Sequence, residues 1–161
     1  NLKKYSDSVD KLAKKLKCKI IFEPGRSIVG DTGILLSKIQ YIKKGAKKDF
    51  IIIDAGMNDF MRPALYDAVH KIIPIRKSKS KLKGTIEFVG PICESTCKFG
   101  SYKNYQKISE NDFVAITNVG AYGSSLSSNY NSRPLIAELL VNKNKIKYIR
   151  KKQDLLKLIN S

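Results

Sequence analysis

Apolar positions repeat with a helical period at the start of the chain. The recurring residues are Val9, Leu12, Ala13 and Leu16. With Ser6 or Asp7 placed to cap the first turn, this spacing predicts an amphipathic helix over residues 7–17. The short apolar segment at residues 19–23 predicts a buried strand that leads into a polar turn at residues 24–26. A helix followed by a buried strand is typical of a repeating α/β unit.

From about residue 34 the pattern changes to short β-branched runs separated by Gly, Pro, Asn and Lys. These runs are Ile34–Ile42, Phe50–Asp54, Thr85–Val89, Phe113–Val119 and Leu135–Val141. They predict an antiparallel β region, in which the last run forms a terminal hairpin with residues 146–149 across a turn at residues 142–144. A helix is predicted over residues 63–73, with proline in its first turn, and another over residues 153–159.

These elements predict a mainly β fold with flanking helices, divided into two parts. One helix and one strand cannot bury both faces of a parallel sheet, so residues 1–33 are interpreted as the end of a larger α/β domain whose earlier part is missing. Residues 34–161 are predicted to form a β domain. The strongly basic stretch at residues 76–83 is predicted to be a mobile loop.

Composition favours a soluble globular protein. The chain has 161 residues, of which 42% are hydrophobic and 28% charged, and no apolar run approaches the roughly 20 residues that span a bilayer. The first residues offer no apolar core followed by a small-residue cleavage site, so secretion has no support. Membrane insertion and extensive disorder are therefore not expected.

The formal net charge of +17 raises the question of polyanion binding. Lysines are spread along the whole chain together with abundant Ile and Asn, which favours a general lysine-rich composition over a built binding surface. The sequence contains neither an aromatic and basic motif of the RNA-recognition type nor zinc-finger spacing. A sequence-specific nucleic-acid reader is not expected, while nonspecific polyanion binding stays an alternative.

Cysteines at positions 18, 93 and 97 form no C-x-x-C pair, and their number is odd. A disulfide framework is therefore disfavoured, and a reducing, cytoplasmic compartment is predicted. Cys18 is interpreted as structural, and His70, the only histidine, as a helix residue with its hydrogen bonds satisfied. No metal site is predicted, because soft ligands at suitable spacing are lacking.

Four segments combine glycine or proline with functional side chains. They are Glu23-Pro24-Gly25-Arg26, Arg62-Pro63-Ala64-Leu65-Tyr66, Gly90-Pro91-Ile92-Cys93-Glu94-Ser95 and Gly120-Ala121-Tyr122-Gly123. In this order, and with supporting stretches at residues 53–59 and 130–134, they resemble the carboxyl-terminal part of the diaminopimelate decarboxylases. These are pyridoxal 5'-phosphate enzymes of the alanine-racemase-like fold, known as fold type III. The resemblance extends across almost the whole chain.

The resemblance implies a fold and a reaction. Residues 1–33 would be the last elements of a cofactor-binding (β/α)8 barrel, and residues 34–161 the β domain that completes the active site of a partner subunit in a homodimer. The family reaction removes carbon dioxide from the D-centre of meso-diaminopimelate to give L-lysine, with the cofactor delocalising the negative charge that decarboxylation leaves.

Residue roles follow from the same resemblance. Cofactor binding is expected from Glu23, Pro24, Gly25, Arg26 and Tyr122, and Tyr122 also faces the substrate. The distal carboxylate of the substrate would be bound by Arg26, Arg62 and Tyr66, and its distal ammonium by Glu94. The fork-like guanidinium group is a matched receptor for a carboxylate. Cys93 would be the proton donor, because a thiol titrates near neutral pH.

Each of these residues also has an ordinary structural interpretation. Glu23 and Arg26 could form an ion pair at a strand end, and Arg62 could be a surface residue at a helix start. Tyr66 could be a half-buried packing residue, and Cys93 a small buried apolar one. The order of the four segments favours the functional interpretation.

Two departures from the family pattern stand out. Cys97 occupies a position where the family usually has Asp, and a disulfide with Cys93 is one hypothesis. The cofactor-linking lysine, the stacking histidine and the glycine-rich phosphate loop of the family have no counterpart here, so the chain alone is predicted to be inactive. Alternatives are a related decarboxylase acting on ornithine, arginine or a carboxylated polyamine, and a non-catalytic dimerisation or polyanion-binding module.

Overall fold

A six-stranded sheet forms the centre of the computed structural model, which describes residues 2–160. The strands lie in the order β3-β6-β1-β2-β4-β5, and β7 and β8 form a separate hairpin. The strand bounds are β1 Leu35–Lys43, β2 Asp49–Ile53, β3 Ile72–Pro74, β4 Thr85–Val89, β5 Lys98–Lys103, β6 Phe113–Ile116, β7 Glu138–Asn142 and β8 Lys145–Arg150. The helices are α1 Leu2–Leu16, α2 Arg26–Val29, α3 Arg62–Tyr66 and α4 Leu155–Ile159, with short 3-10 turns at Gly30–Thr32, Ser124–Leu126 and Tyr130–Ser132.

Side-chain alternation explains why the sheet has one buried face. In β1, Leu35, Ser37 and Ile39 are buried, whereas Leu36 between them is exposed. Because successive side chains of a strand point to opposite faces, the apolar set of each strand reaches one common core. Its fully buried large residues are Phe60, Phe88, Ile39, Ile51, Ile53, Ile72, Ile86, Ile116 and Val114.

A tyrosine pair closes the core between β3 and β4. The Tyr105 hydroxyl donates to the Ile72 carbonyl at 3.0 Å, and the Tyr102 hydroxyl accepts from the Ile72 amide at 2.9 Å and donates to the His70 carbonyl at 3.1 Å. Both rings contact the Phe88 ring edge to face, with centroid distances of 5.8 Å for Tyr102 and 5.2 Å for Tyr105. Burial raises the pKa of both phenols because the charged form is desolvated.

The predicted mainly β fold with flanking helices is confirmed, and so is the terminal hairpin. All the predicted β-branched runs contain strands, although the last one begins only at Glu138. The pairing is antiparallel except between β2 and β4, which are parallel, so the purely antiparallel prediction is wrong at that pair. Strand β5 was not predicted, because Lys98, Gly100 and Ser101 interrupt its apolar alternation. No described helix has the length and apolar character needed to cross a membrane.

The predicted strand at residues 19–23 is wrong. These residues lie outside any sheet, and Ile21 and Phe22 are exposed. A parallel strand needs neighbours to pair its backbone N–H and C=O groups, and no described strand runs beside this segment. Cys18, interpreted from sequence as structural, is exposed as well.

The predicted helix over residues 63–73 ends at Tyr66. Asp67 adopts the left-handed conformation, with φ of 50°, and its backbone N–H closes on the Arg62 carbonyl. Such a residue ends a helix. Residues 72–74 instead form β3, which pairs with β6 at Ile72 and Ile116. His70 therefore lies between the helix and the strand, buried against Phe60 with its Nδ1 3.0 Å from the Thr117 carbonyl, so it is satisfied but not helical.

We expect the buried phenol of Tyr105 to make the fold sensitive to alkali. Its folded-state pKa is raised, so its stabilising effect is complete below the unfolded value of about 10 and is lost as the pH rises above it. Between about pH 10 and 11, the free energy of unfolding should fall less steeply with pH in Tyr105→Phe than in the wild-type chain. The two slopes should differ by up to about 1.4 kcal/mol per pH unit. At pH 8 the variant should be about 1 kcal/mol less stable, because the hydrogen bond to Ile72 is lost.

Denaturant unfolding measured at several pH values checks this expectation. Tyr148→Phe is the matched control, because Tyr148 is exposed on β8 and its substitution removes a hydroxyl without changing the core. Parallel pH curves for the wild-type chain and Tyr105→Phe would contradict the assignment.

Candidate active site

Two arginines line one open cleft beside α2 and α3. The cleft has a volume of about 470 Å³ and is lined by Arg26, Ser27, Gly30, Asp31, Arg62, Ala68, Val69, His70 and Asn118. We call it the arginine cleft. Two guanidinium groups facing one solvent-accessible space favour anionic ligands, above all carboxylates and phosphates.

Arg62 is held between two aromatic rings. Its guanidinium carbon lies 5.6 Å from the centroid of Tyr66 and 5.5 Å from that of Tyr122. Tyr66 follows Arg62 by one helical turn of α3, and Tyr122 reaches it from the turn after β6. Cation–π contacts of this kind restrict the positions that the guanidinium group can occupy.

Close backbone contact fixes the α2 segment against the turn that carries Tyr122. The Gly120 amide donates to the Gly30 carbonyl at 3.0 Å, and the Val119 amide donates to the Gly33 carbonyl at 2.9 Å. A Cβ on Gly120 would lie 1.9 Å from the Val29 carbonyl oxygen. Only glycine permits this approach, so the glycine of the Gly-Ala-Tyr-Gly segment sets the position of Arg26 relative to Tyr122.

Residues 23–25, which were predicted to bind the cofactor, are exposed and directly precede Arg26 of the arginine cleft. Glu23 makes no ion pair with Arg26 or any other described residue, so the structural ion-pair interpretation finds no support. A Cβ on Gly25 would meet no atom within 4 Å. The packing of the described chain therefore does not require glycine there, and the backbone is open to a group from outside the chain.

Cys93 and Glu94 lie on a separate loop between β4 and β5. The Gly90 amide donates to the Cys97 carbonyl at 2.9 Å, and the Cys97 amide donates to the Glu94 carbonyl at 3.0 Å. A Cβ on Gly90 would lie 2.5 Å from the Cys97 Sγ, so glycine lets the loop close tightly. Cys93 and Glu94 project outward from this loop and do not line the arginine cleft.

The two thiols of the loop are free. Cys97 is buried, and its Sγ accepts a hydrogen bond from the Met57 amide at 3.4 Å, whereas Cys93 is exposed. The structure therefore does not contain the disulfide considered for this pair. Cys97 fills the space under the loop, and Cys93 is not the buried apolar residue of the ordinary interpretation.

The Glu94 carboxylate is bound by a residue to which the sequence assigned no role. The Tyr130 hydroxyl donates a hydrogen bond to Glu94 Oε1, and this contact raises the pKa of Tyr130. Tyr130 belongs to the supporting stretch at residues 130–134, where only its resemblance to a family segment was noted. Its contact crosses 36 residues of sequence, so no local spacing could have revealed it.

A partly buried ion pair between Asp59 and Arg133 supports the turn that precedes α3. Asp59 is 5% exposed, and its carboxylate accepts from the Gly56 amide at 2.7 Å, from Asn58 Nδ2 at 3.1 Å and from Arg133 Nη2 at 3.4 Å. Arg133 also donates to Asn58 Oδ1 at 3.0 Å and to the Asp54 carbonyl at 2.8 Å. These contacts fix the turn at residues 54–59 from which α3 and Arg62 start.

Comparison with known proteins identifies the family of the chain. Residues 5–120 match the family described as pyridoxal-dependent decarboxylase, C-terminal sheet domain, and the chain belongs to this family. The chain therefore corresponds to the C-terminal sheet domain of the pyridoxal-dependent decarboxylases. The predicted resemblance is confirmed.

Its curated relatives include the diaminopimelate decarboxylases of Aquifex aeolicus and Helicobacter pylori. The first is 42% identical over 92% of this chain and 35% of its own length, and the second 44% identical over 94% and 37%. The chain thus spans about a third of the length of these relatives. The structure of the Helicobacter pylori enzyme complexed with L-lysine superposes with a TM-score of 0.83 at 42% identity, over 99% of this chain and 39% of that one.

More distant structures share the fold alone. An arginine decarboxylase from Paramecium bursaria Chlorella virus, bound to agmatine, has a TM-score of 0.68 at 16% identity. It covers 79% of this chain. The sheet domain is therefore common to decarboxylases of different substrates.

We expect Arg133→Ala to destabilise the chain by about 3 kcal/mol, because it leaves the buried Asp59 carboxylate without its cation. Arg76→Ala is the matched control, since Arg76 is exposed and has no hydrogen bond or ion pair among the described residues. Its effect on the free energy of unfolding should stay within about 0.5 kcal/mol. Denaturant unfolding of both variants measures the difference, and equal stabilities would show that the pair does not hold the turn.

Proposed function

We propose that this chain is the carboxyl-terminal part of an enzyme that decarboxylates meso-diaminopimelate to L-lysine. The observation that carries the proposal is the pair of guanidinium groups in the arginine cleft, one of them oriented between Tyr66 and Tyr122. A simple diamino acid has one carboxylate, which decarboxylation removes, and so it has no distal carboxylate for the enzyme to bind. An aromatic-flanked arginine fork fits a substrate that has one.

The residues of the cleft suit the anionic groups of both the cofactor and the substrate. In this proposal, Glu23, Pro24, Gly25, Arg26 and Tyr122 contribute to binding pyridoxal 5'-phosphate, which the open backbone at Gly25 and the charge of Arg26 support. When bound, this cofactor withdraws electrons from the α-carbon of an amino acid and makes its carboxylate labile. No lysine lines the arginine cleft among the described residues, so covalent attachment falls to another part of the enzyme.

Substrate orientation is divided between the two regions. Arg26, Arg62 and Tyr66 bind the distal carboxylate, and Glu94 binds the distal ammonium through charge-assisted hydrogen bonds. Together they recognise a complete zwitterionic amino-acid group. Binding of this distal group holds the reacting carbon, at the opposite end of the substrate, in position for the reaction. This lowers the entropic part of the activation barrier.

Cys93 returns a proton to the reacting carbon. When the bond between the α-carbon and the carboxylate breaks, carbon dioxide leaves and the electron pair stays with the carbon. The Cys93 S–H bond then breaks, its proton forms the new C–H bond, and the thiolate takes a proton from solvent. An exposed thiol on a tightly closed loop is suited to this step, because it is accessible and fixed in position.

The enzyme is proposed to be a homodimer with its sites between subunits. Cys93 and Glu94 do not line the arginine cleft of their own chain, which supports the supply of these two residues by a partner subunit. Residues 1–33 are proposed to be the last elements of the barrel. Helix α1 supports this, because Leu12 and Leu16 on its apolar stripe are 49% and 58% exposed within the chain and a barrel would bury them. A cytoplasmic location is supported by the three free thiols.

We expect the chain purified alone to release no carbon dioxide from meso-diaminopimelate with added pyridoxal 5'-phosphate. A chimera in which these residues replace the corresponding part of the Helicobacter pylori enzyme should release it, and should form L-lysine. Manometry or coupled detection of lysine measures both. Activity of the isolated chain would contradict the division of labour, and a chimera active on ornithine or arginine instead would contradict the substrate.

In the same chimera, Cys93→Ala should lower kcat by about 100-fold or more, because general acid catalysis is lost. Cys18→Ala is the control, since Cys18 is exposed after α1 and belongs to neither region of the site. Decarboxylation in deuterium oxide gives a second measurement, which is the stereochemistry of deuterium incorporation at the carbon that lost its carboxylate. Unchanged turnover and stereochemistry in Cys93→Ala would show that another group is the proton donor.

A further inference from the structure

The segment at residues 128–133 contacts the turn that precedes α3 and the loop that carries Glu94. At one end, the Ser128 amide donates to the Asn58 carbonyl at 2.9 Å, and Asn58 Nδ2 donates to the Ser128 carbonyl at 3.3 Å. At the other end, Arg133 binds Asn58 and Asp59. The segment is thereby fixed to the turn that precedes α3.

The conformation between these two anchors is tightly constrained. Asn131 and Ser132 both have positive φ, 59° and 55°, which is costly for residues other than glycine and persists only where surrounding contacts enforce it. Asn129 Nδ2 supplies such contacts by donating to the Arg133 carbonyl at 2.8 Å and to Gln153 Oε1 at 2.5 Å. The Tyr130 backbone is therefore held in place, and its ring extends from a fixed point toward Glu94.

We propose that Tyr130 is a positioning residue that fixes the Glu94 carboxylate for recognition of the distal ammonium of the substrate. This inference rests on the proposed function. The Tyr130 hydroxyl occupies Oε1 of Glu94, which leaves Oε2 free to accept from an ammonium group. Glu94 is exposed, so without this contact its side chain would sample several rotamers in the free enzyme. Substrate binding would then have to restrict that freedom, and the affinity for substrate would fall.

The acid–base properties of the pair agree with this role. The pKa of the Tyr130 phenol is raised first because its hydrogen bond to the Glu94 carboxylate requires the phenolic proton, and also because ionising the phenol would place two negative charges together. Tyr130 therefore stays a hydrogen-bond donor throughout the neutral pH range.

The test compares two substrates in the chimera described above. Tyr130→Phe should raise KM for meso-diaminopimelate about three- to tenfold, the range expected for one lost hydrogen bond, while kcat changes by less than about twofold. With D-2-aminopimelate, which keeps the distal carboxylate but lacks the distal ammonium, the same variant should leave kcat/KM within about twofold of wild type. Tyr41→Phe is the matched control, because Tyr41 is exposed on β1 and makes no hydrogen bond through its hydroxyl among the described residues.

A double-mutant cycle with Glu94→Gln adds a second criterion. If Tyr130 acts through Glu94, its substitution should have a much smaller effect on KM in the Glu94→Gln background than in the wild type. Equal losses on the two substrates, additive effects, or no change in KM would overturn the proposal.

Spectrophotometric titration of the phenols detects the contact without any activity. Glu94→Gln should shift one tyrosine titration toward its ordinary range, and Tyr130→Phe should remove that same titration. A chimera that does not decarboxylate meso-diaminopimelate at all would overturn the proposed function and the ammonium role with it. The titration would distinguish that case from a missing hydrogen bond, which overturns the positioning of Glu94 itself.

Discussion

The partly buried ion pair between Asp59 and Arg133 is the constraint on which the arrangement of the candidate site depends. A carboxylate that is 5% exposed is stable only if its charge is matched and its oxygens are hydrogen-bonded, and the Gly56 amide, Asn58 and Arg133 provide this. The pair joins positions 74 residues apart in the sequence. It therefore fixes the start of α3, which carries Arg62, to the segment that carries Tyr130. Arg62 and Tyr130, which lie in different parts of the candidate site, are thus supported by the same ion pair.

The candidate site is divided, because its two regions are exposed and do not line one cleft. Arg26 and Arg62 face the arginine cleft, whereas Cys93 and Glu94 project from the loop between β4 and β5. Exposed charges are strongly screened by water, so neither region alone binds a zwitterion with the strength that a closed site gives. Enclosure by a barrel and a second subunit would remove that water and strengthen both interactions. The same enclosure would cover the apolar residues that are exposed on α1.

Sequence patterns predicted the sheet well and the irregular segments poorly. Short β-branched runs predicted β1, β2, β4 and β6. Burial alternates along β1, β2 and β4, whereas three consecutive residues of β6, Val114, Ala115 and Ile116, are all buried. The helix after Pro63 was predicted too long, since the apolar residues at positions 69, 72 and 73 continue a helical spacing that the left-handed Asp67 ends. Residues 19–23 have the composition of a strand, but composition cannot supply a neighbour to pair with. The contact of Tyr130 with Glu94 is nonlocal, so a motif could mark the tyrosine without giving its role.

The use of arginine was a signal that the sequence contained and that the structure explains. Of 31 basic residues only five are arginine, at positions 26, 62, 76, 133 and 150. Three of these line the arginine cleft or hold its support, while the lysines are distributed over the rest of the chain. A lysine ammonium is a compact point charge and cannot reproduce the planar fork with which Arg133 reaches Asn58, Asp54 and Asp59 together. In a chain otherwise rich in lysine, three of the five arginines therefore lie at positions where the geometry of the cation matters as well as its charge, whereas Arg76 is exposed and has no hydrogen bond or ion pair among the described residues.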